Sequence, residues 1–215
     1  MPIEDELRTR WQQVLPSQPE LGEELITRYG EPHRRYHNQD HLLAVLEAID
    51  RFATSDHDLY LVRLAAWFHD AVYDIPEREL TNEEASARLV VRRLQRAGLE
   101  TEDINQVARL VRLTTIHQVG PGDADGELLC DADLAVLGGT PEEYARYVDA
   151  VREEYAAVDD EQFWAGRLDV LDGLAATQLF RTGRGRKLLK QARANLDAER
   201  AELRQRLGLP DPDDA

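Results

Sequence analysis

Three short segments concentrate the side chains able to hold a cation or move a proton. They are Tyr36-His37-Asn38-Gln39-Asp40-His41, Trp67-Phe68-His69-Asp70 and Asp131-Ala132-Asp133-Leu134. Imidazole nitrogens and carboxylate oxygens are ligands for divalent metals and common proton-transfer groups. His69-Asp70 follows the apolar run Leu64-Ala65-Ala66-Trp67-Phe68. A charged Asp against an apolar helix face is costly unless it is paired or bound to a metal. His37 and His41 have the spacing of a helical two-histidine clip, but Asn38 is a good N-cap and leaves His37 outside the helix. Asp131 suits the role of a capping acid for a short helix. Asp133, followed by Leu134, Val136 and Leu137, is drawn toward the core. Taken singly, each segment has an ordinary structural reading: a satisfied core histidine, a helix-terminal acid, a cap.

The elements that must position these residues are helices. Ala, Leu, Arg and Glu dominate, and strand-type runs are scarce. Helices are predicted over about 3–15, ending at Pro16, and over 19–29, with Gly30 as C-cap. A third starts near Asn38 and carries Leu42, Val45, Leu46 and Ile49 on one face. A fourth spans about 57–73, from His57, with Leu59, Val62, Ala66, His69 and Tyr73 aligned. A fifth runs from the Thr81/Glu84 capping pattern to Gly98, and a sixth from Thr101 to His117. Gln118 to Leu128 reads as a surface loop, followed by a short helix over 131–137. Thr140, Pro141 and Glu143 open a helix to about Ala157. Two more cover 160–177 and, after Thr182-Gly183, the stretch to Leu207. The tail Asp211-Pro212-Asp213-Asp214-Ala215 is expected to fray. A single all-α domain over residues 1–215 is the simplest account.

The chain has 215 residues, 42 acidic and 26 basic, a net charge of −16. That charge repels polyanions, so nucleic acid and anionic lipid are not expected partners. No apolar run approaches the ~18 residues of a membrane span, and the N-terminus lacks the apolar core of a secretory signal. One cysteine, Cys130, fits a reducing cytoplasm, and nothing beside it suggests an activated thiolate. Asp123-Ala124-Asp125-Gly126 echoes a calcium loop but lacks the later oxygen ligands. The clearly basic stretch, 181–193, reads as a solvated helix face, with a phosphate-facing rim as the rival. A homodimer is left open.

Together the three segments are more specific. A His, then His-Asp, then a distant Asp, on separate helices, resembles the HD superfamily of metal-dependent phosphohydrolases. Residues 36–41, 65–74 and 129–138, with the later 151–155, 163–167 and 192–199, resemble an uncharacterised bacterial branch of it, over roughly Tyr29 to Glu199. The resemblance implies an HD-type helical bundle with the helices before and after residues 29–199 packed on it. It implies that His41, His69, Asp70 and Asp133 bind one metal ion, with Asp131 the alternative to Asp133. A mixed nitrogen and oxygen site suits Mn, Fe, Co, Ni or Zn, and Mg less. By the same resemblance, and one helical turn after Asp70, Asp74 is the candidate for assisting the attacking water. Glu83 and Glu84 are weaker candidates. His117 and His37 are candidate substrate contacts. Arg35, with Arg34, could hold a phosphate. The expected activity is hydrolysis of a small phosphorylated molecule, a nucleotide above all. The alternative is a metal-bearing sensory or ligand-binding module without turnover. A di-iron oxygenase is disfavoured, because only His117 lies between the doublet and Asp133.

Overall fold

The computed structural model describes residues 2–210, and the acidic tail 211–215 lies outside them. Among the described residues there are ten α-helices and two short 3-10 segments, joined by turns and loops, and no strand, so the all-α expectation holds. They are α1 (Ile3–Val14), α2 (Pro19–Tyr29), α3 (Gln39–Phe52), α4 (Leu59–Phe68), α5 (Asn82–Ala97), α6 (Thr101–Leu113), α7 (Ala124–Asp133), α8 (Pro141–Glu154), α9 (Asp160–Ala175) and α10 (Leu189–Arg206). The 3-10 segments are Leu134–Gly138 and Gly185–Leu188. None of the described helices is long and apolar enough to cross a membrane. The helices group into two compact units, the first ending at Asp133 and the second beginning at Leu134.

In the first unit α4 is the central element, packed against α1, α3, α5, α6 and α7. Leu61, Val62, Leu64, Ala65, Ala66, Trp67 and Phe68 are all buried, so it is apolar around most of its circumference. Its Trp67 meets Trp11 of α1 edge-on, with ring centroids 5.1 Å apart. The caps follow the local chemistry. Asn38 accepts from the backbone N–H groups of Asp40 and His41, Asp58 from those of Tyr60 and Leu61, and Thr81 from that of Glu84. Gly98 closes α5 in the left-handed region at φ 80°, which a side chain would disfavour.

The second unit has its own core, built from Leu134, Leu137, Tyr144, Leu168, Leu171, Phe180 and Leu196 among others. Thr140 and Glu143 form the reciprocal capping box at the start of α8. In the same unit, Arg167 of α9 donates two bonds to Glu199 of α10, at 2.8 and 3.1 Å, and a third to Tyr147. Tyr144 donates to the same carboxylate. Of the basic stretch, Arg184, Arg186, Lys187, Lys190 and Arg193 are exposed.

Two boundaries differ from the sequence reading in ways that matter for chemistry. The fourth helix stops at Phe68 instead of running to Tyr73, and the seventh begins at Ala124 inside the expected loop. Asp123 explains the second. Its carboxylate accepts from the Gly126 N–H at 3.1 Å, capping α7, and holds Arg109 through two bonds at 2.6 and 3.0 Å. A Cβ on Gly126 would lie 2.5 Å from Asp123 Oδ2, so the close approach needs glycine.

Candidate metal centre

Every residue of the site stands at the end of a helix in the first unit. His41 lies in the first turn of α3, His69 is the C-cap of α4 with Asp70 next, and Asp133 is the last residue of α7. The C-termini of α4 and α7 carry the negative ends of their helix dipoles, which favours a cation nearby.

The early end of α4 has a specific cause. In a continued helix the Asp70 N–H would bond to Ala66 O. Instead the His69 ring takes Ala66 O at 2.8 Å, and the Asp70 N–H donates to the Tyr29 hydroxyl at 3.2 Å. The Val72 and Asp74 N–H groups are diverted as well, to Ser86 Oγ at 3.0 Å and Asn82 Oδ1 at 2.9 Å. Arg34 occupies the freed carbonyls. Its side chain is fully buried and donates to Asp70 O at 2.7 Å, to Ala71 O at 3.4 Å and to His37 O at 2.9 Å. Side chains from three other elements thus hold the doublet in a turn.

Four acceptor atoms converge there. His41 Nε2 lies 3.1 Å from His69 Nε2, 3.5 Å from Asp70 Oδ2 and 3.2 Å from Asp133 Oδ1. His69 Nε2 lies 3.0 Å from Asp70 Oδ2 and 3.6 Å from Asp133 Oδ1. A carbonyl only accepts, so His69 Nδ1 carries the proton toward Ala66 O and a neutral ring turns the lone pair of Nε2 inward. Donors about 2.0–2.1 Å from one ion sit roughly 3.0 Å apart when octahedral neighbours and roughly 3.4 Å apart when tetrahedral. The observed separations fall around those values. The buried His41, His69 and Asp70 can therefore hold a metal ion, and Asp133 reaches both imidazoles of the group.

The electrostatics agree. Burial alone would lower the pKa of His69, but Asp70 and Asp133 raise it well above the usual imidazole range. His41 is raised in the same sense, against burial, by Asp133 and Asp70. Burial alone would raise Asp70 and Asp133, yet the facing histidines hold both well below the ordinary carboxylate range. Burial pushes the Tyr29 hydroxyl up to about 12, so it stays protonated. A centre with two carboxylates and two inward imidazoles demands positive charge, whether as protons or as a metal ion.

The other candidates separate by placement. His117 does not stand in open space. Its Nε2 meets Asp133 Oδ2 at 2.8 Å, on the oxygen that does not face His41 and His69. Its backbone is left-handed at φ 53°, a conformation that costs a non-glycine residue of order 1–2 kcal/mol. Its N–H bonds to Leu113 O at 2.8 Å, and with the ring contact this fixes the residue as a brace for Asp133. Replacing His117 with Ala is expected to weaken divalent-metal affinity by about 10–100-fold, read by competition with a chelator. Unchanged affinity would count against the brace.

His37 stacks on Tyr73 with ring centroids 4.0 Å apart. Arg35 is exposed and donates to Pro32 O at 2.7 Å. Its neighbour Arg34 is the buried clamp, a role hidden by a loop sequence without periodicity. Asp131 is wholly buried and lies ~200° around α7 from Asp133. It lies in the last turn of α7, not at a helix start where it could cap, which corrects the sequence reading. The placement of Asp74 needs a correction too. Because α4 ends at Phe68, Asp74 is not one helical turn beyond Asp70, and its carboxylate pairs with Arg78 at 3.0 Å. Comparison of the chain with protein families, with curated proteins and with solved structures finds no match.

Proposed function

We propose that the protein is a divalent-metal phosphohydrolase of the HD superfamily, acting on a small phosphorylated molecule such as a nucleotide. The observation that carries this reading is the convergence of His41, His69, Asp70 and Asp133, from three separated segments, on one acceptor-rich point. Those residues would hold the ion, Mn, Fe, Co, Ni or Zn in preference to Mg. A bound ion supplies neutralisation of phosphate charge and a lowered pKa for water.

The chain's own residues do the rest. Arg34 and Tyr29 fix the turn that carries Asp70, and His117 orients Asp133. The His37 ring, 5.6 Å from that of His41, would stand close enough to the ion to meet a bound substrate. The net charge of −16 favours a small substrate over a polyanion, which would meet the whole surface.

The test is metal analysis of purified protein joined to a phosphoester panel with each divalent ion supplied. Hydrolysis that depends on the ion supports the reading. Stoichiometric metal without turnover on any phosphoester overturns it and leaves a metal-bearing binding module.

A further inference from the structure

The two imidazoles of the cluster are not held alike. The His69 ring is fixed at both nitrogens, with Nε2 3.0 Å from Asp70 Oδ2 and Nδ1 on Ala66 O at 2.8 Å. A metal-bound histidine is ordinarily oriented in this way, by an acceptor on the nitrogen that faces away from the ion. The ring of His41 lacks that second hold. Its polar contacts run through Nε2, to His69, Asp70 and Asp133, and among the described residues its Nδ1 meets no acceptor. His41 is nonetheless buried, so something other than water or a hydrogen bond sets the rotation of its ring.

Aromatic rings supply it. The Tyr36 ring lies against that of His41, with centroids 4.8 Å apart and planes tilted by 43°. That separation falls in the range of roughly 4.5–7 Å over which aromatic pairs attract. Tyr36 is met edge-on by His37 at 4.8 Å, and His37 is stacked on the buried Tyr73 at 4.0 Å. Tyr73 is anchored in turn, its carbonyl taking His33 Nε2 at 2.8 Å. The backbone ties Tyr36 to the helix that carries His41. Asn38 donates its N–H to Tyr36 O at 2.8 Å and its Nδ2 to Arg35 O at 2.8 Å, while its Oδ1 accepts from the His41 N–H at 3.2 Å. The tyrosine ring and the imidazole are thus set from one shared residue.

We propose that Tyr36 is a positioning residue for His41, its ring holding the imidazole in the orientation that Ala66 O enforces on His69. The proposal rests on the metal-binding part of the reading above and not on turnover. Tyr36 acts through His41, by keeping the Nε2 lone pair turned toward the point that Asp70 and Asp133 face. The ring carries the effect and the hydroxyl does not, because the contact is between the two ring systems.

Cobalt(II) alone is the probe, added to wild type, Tyr36→Phe and Tyr36→Leu. Tyr36→Leu keeps an apolar side chain but removes the ring. It is expected to weaken cobalt affinity by about 10–100-fold, read by competition with a chelator, the scale for an outer partner of a metal ligand. It should also change the visible absorption of the bound ion, which reports ligand geometry. Tyr36→Phe is expected to match wild type in both. Circular dichroism and denaturation of the metal-free proteins separate positioning from a merely structural role, which would lower stability without moving the spectrum of the ion. If Tyr36→Leu does not fold, Tyr36→Met decides the same question with an unbranched side chain. Wild-type affinity and spectrum without the ring overturn the assignment. So does a Tyr36→Phe as weak as Tyr36→Leu, which gives the role to the hydroxyl. Both results leave the phosphohydrolase reading intact. A wild-type protein that binds neither cobalt nor any other of the ions named above overturns both.

Discussion

Replacing Asp70 with Ala is expected to give a folded protein that keeps no stoichiometric divalent metal through dialysis. Asp70 Oδ2 lies within 3.0 and 3.5 Å of the two ring nitrogens, so its loss opens the acceptor cluster at its centre. The drop in affinity should exceed the about 10–100-fold expected for an outer partner such as His117. The fold should survive, because the removed charge is one that burial disfavours and the two imidazoles can revert to neutral. Asp70→Asn tests the same point with the shape preserved. Plasma emission spectroscopy gives the metal content and circular dichroism the fold. Full metal retention by both variants would show that the ion binds elsewhere.

The pH dependence follows from the same groups. In the metal-free protein His41 and His69 have pKa values above the ordinary 6.5. The stability they contribute is therefore fully present below pH 6.5 and is lost as pH rises through their raised values. An ion needs the same nitrogens deprotonated, so its affinity grows across that window and binding expels protons. Calorimetry in two buffers of different ionisation heat measures this release. Binding without proton release below that window would contradict the protonated imidazoles.

The second large effect is expected at Arg34. Arg34→Met fits the volume but donates nothing, leaving the carbonyls of His37, Asp70 and Ala71 without the guanidinium in a buried setting. The loss should be about 3–5 kcal/mol, the scale for removing one partner of a buried charged contact. The guanidinium also lies over the rings of Tyr29 and Tyr73, at 5.3 and 5.7 Å, so packing is lost with the charge. Arg34→Lys keeps the charge but not the planar fork and should recover only part. Chemical denaturation reads the stability and a metal titration the site. A shift of less than ~1 kcal/mol for Arg34→Met would mean that the turn holds itself.

Much of the helical frame was legible because its punctuation is local. Asn38, Thr81, Gly98 and Thr140 each act within one turn, and each stands where its chemistry puts it. The end of α4 was not legible. Ala71 and Tyr73 are buried and continue the apolar pattern, and no Gly or Pro intervenes before Pro76. The helix stops because Tyr29, Arg34, Asn82 and Ser86, distant in sequence, take its hydrogen bonds. The start of α7 was missed for the opposite reason. Asp123 to Gly126 has turn composition, but Asp123 caps a helix and grips Arg109. At the site, residue types and order pointed to the four converging groups. They could not show that Arg34 is buried, that His117 braces Asp133, or that Asp74 is already paired.

The last residue of the cluster, Asp133, is also the last residue of the first unit. Synthesis from the N-terminus therefore makes His41, His69, Asp70 and Asp133 before any residue of the second unit. The groups proposed to hold an ion thus all belong to the unit that is made first, so a truncation ending near Leu134 would still contain the whole proposed ligand set.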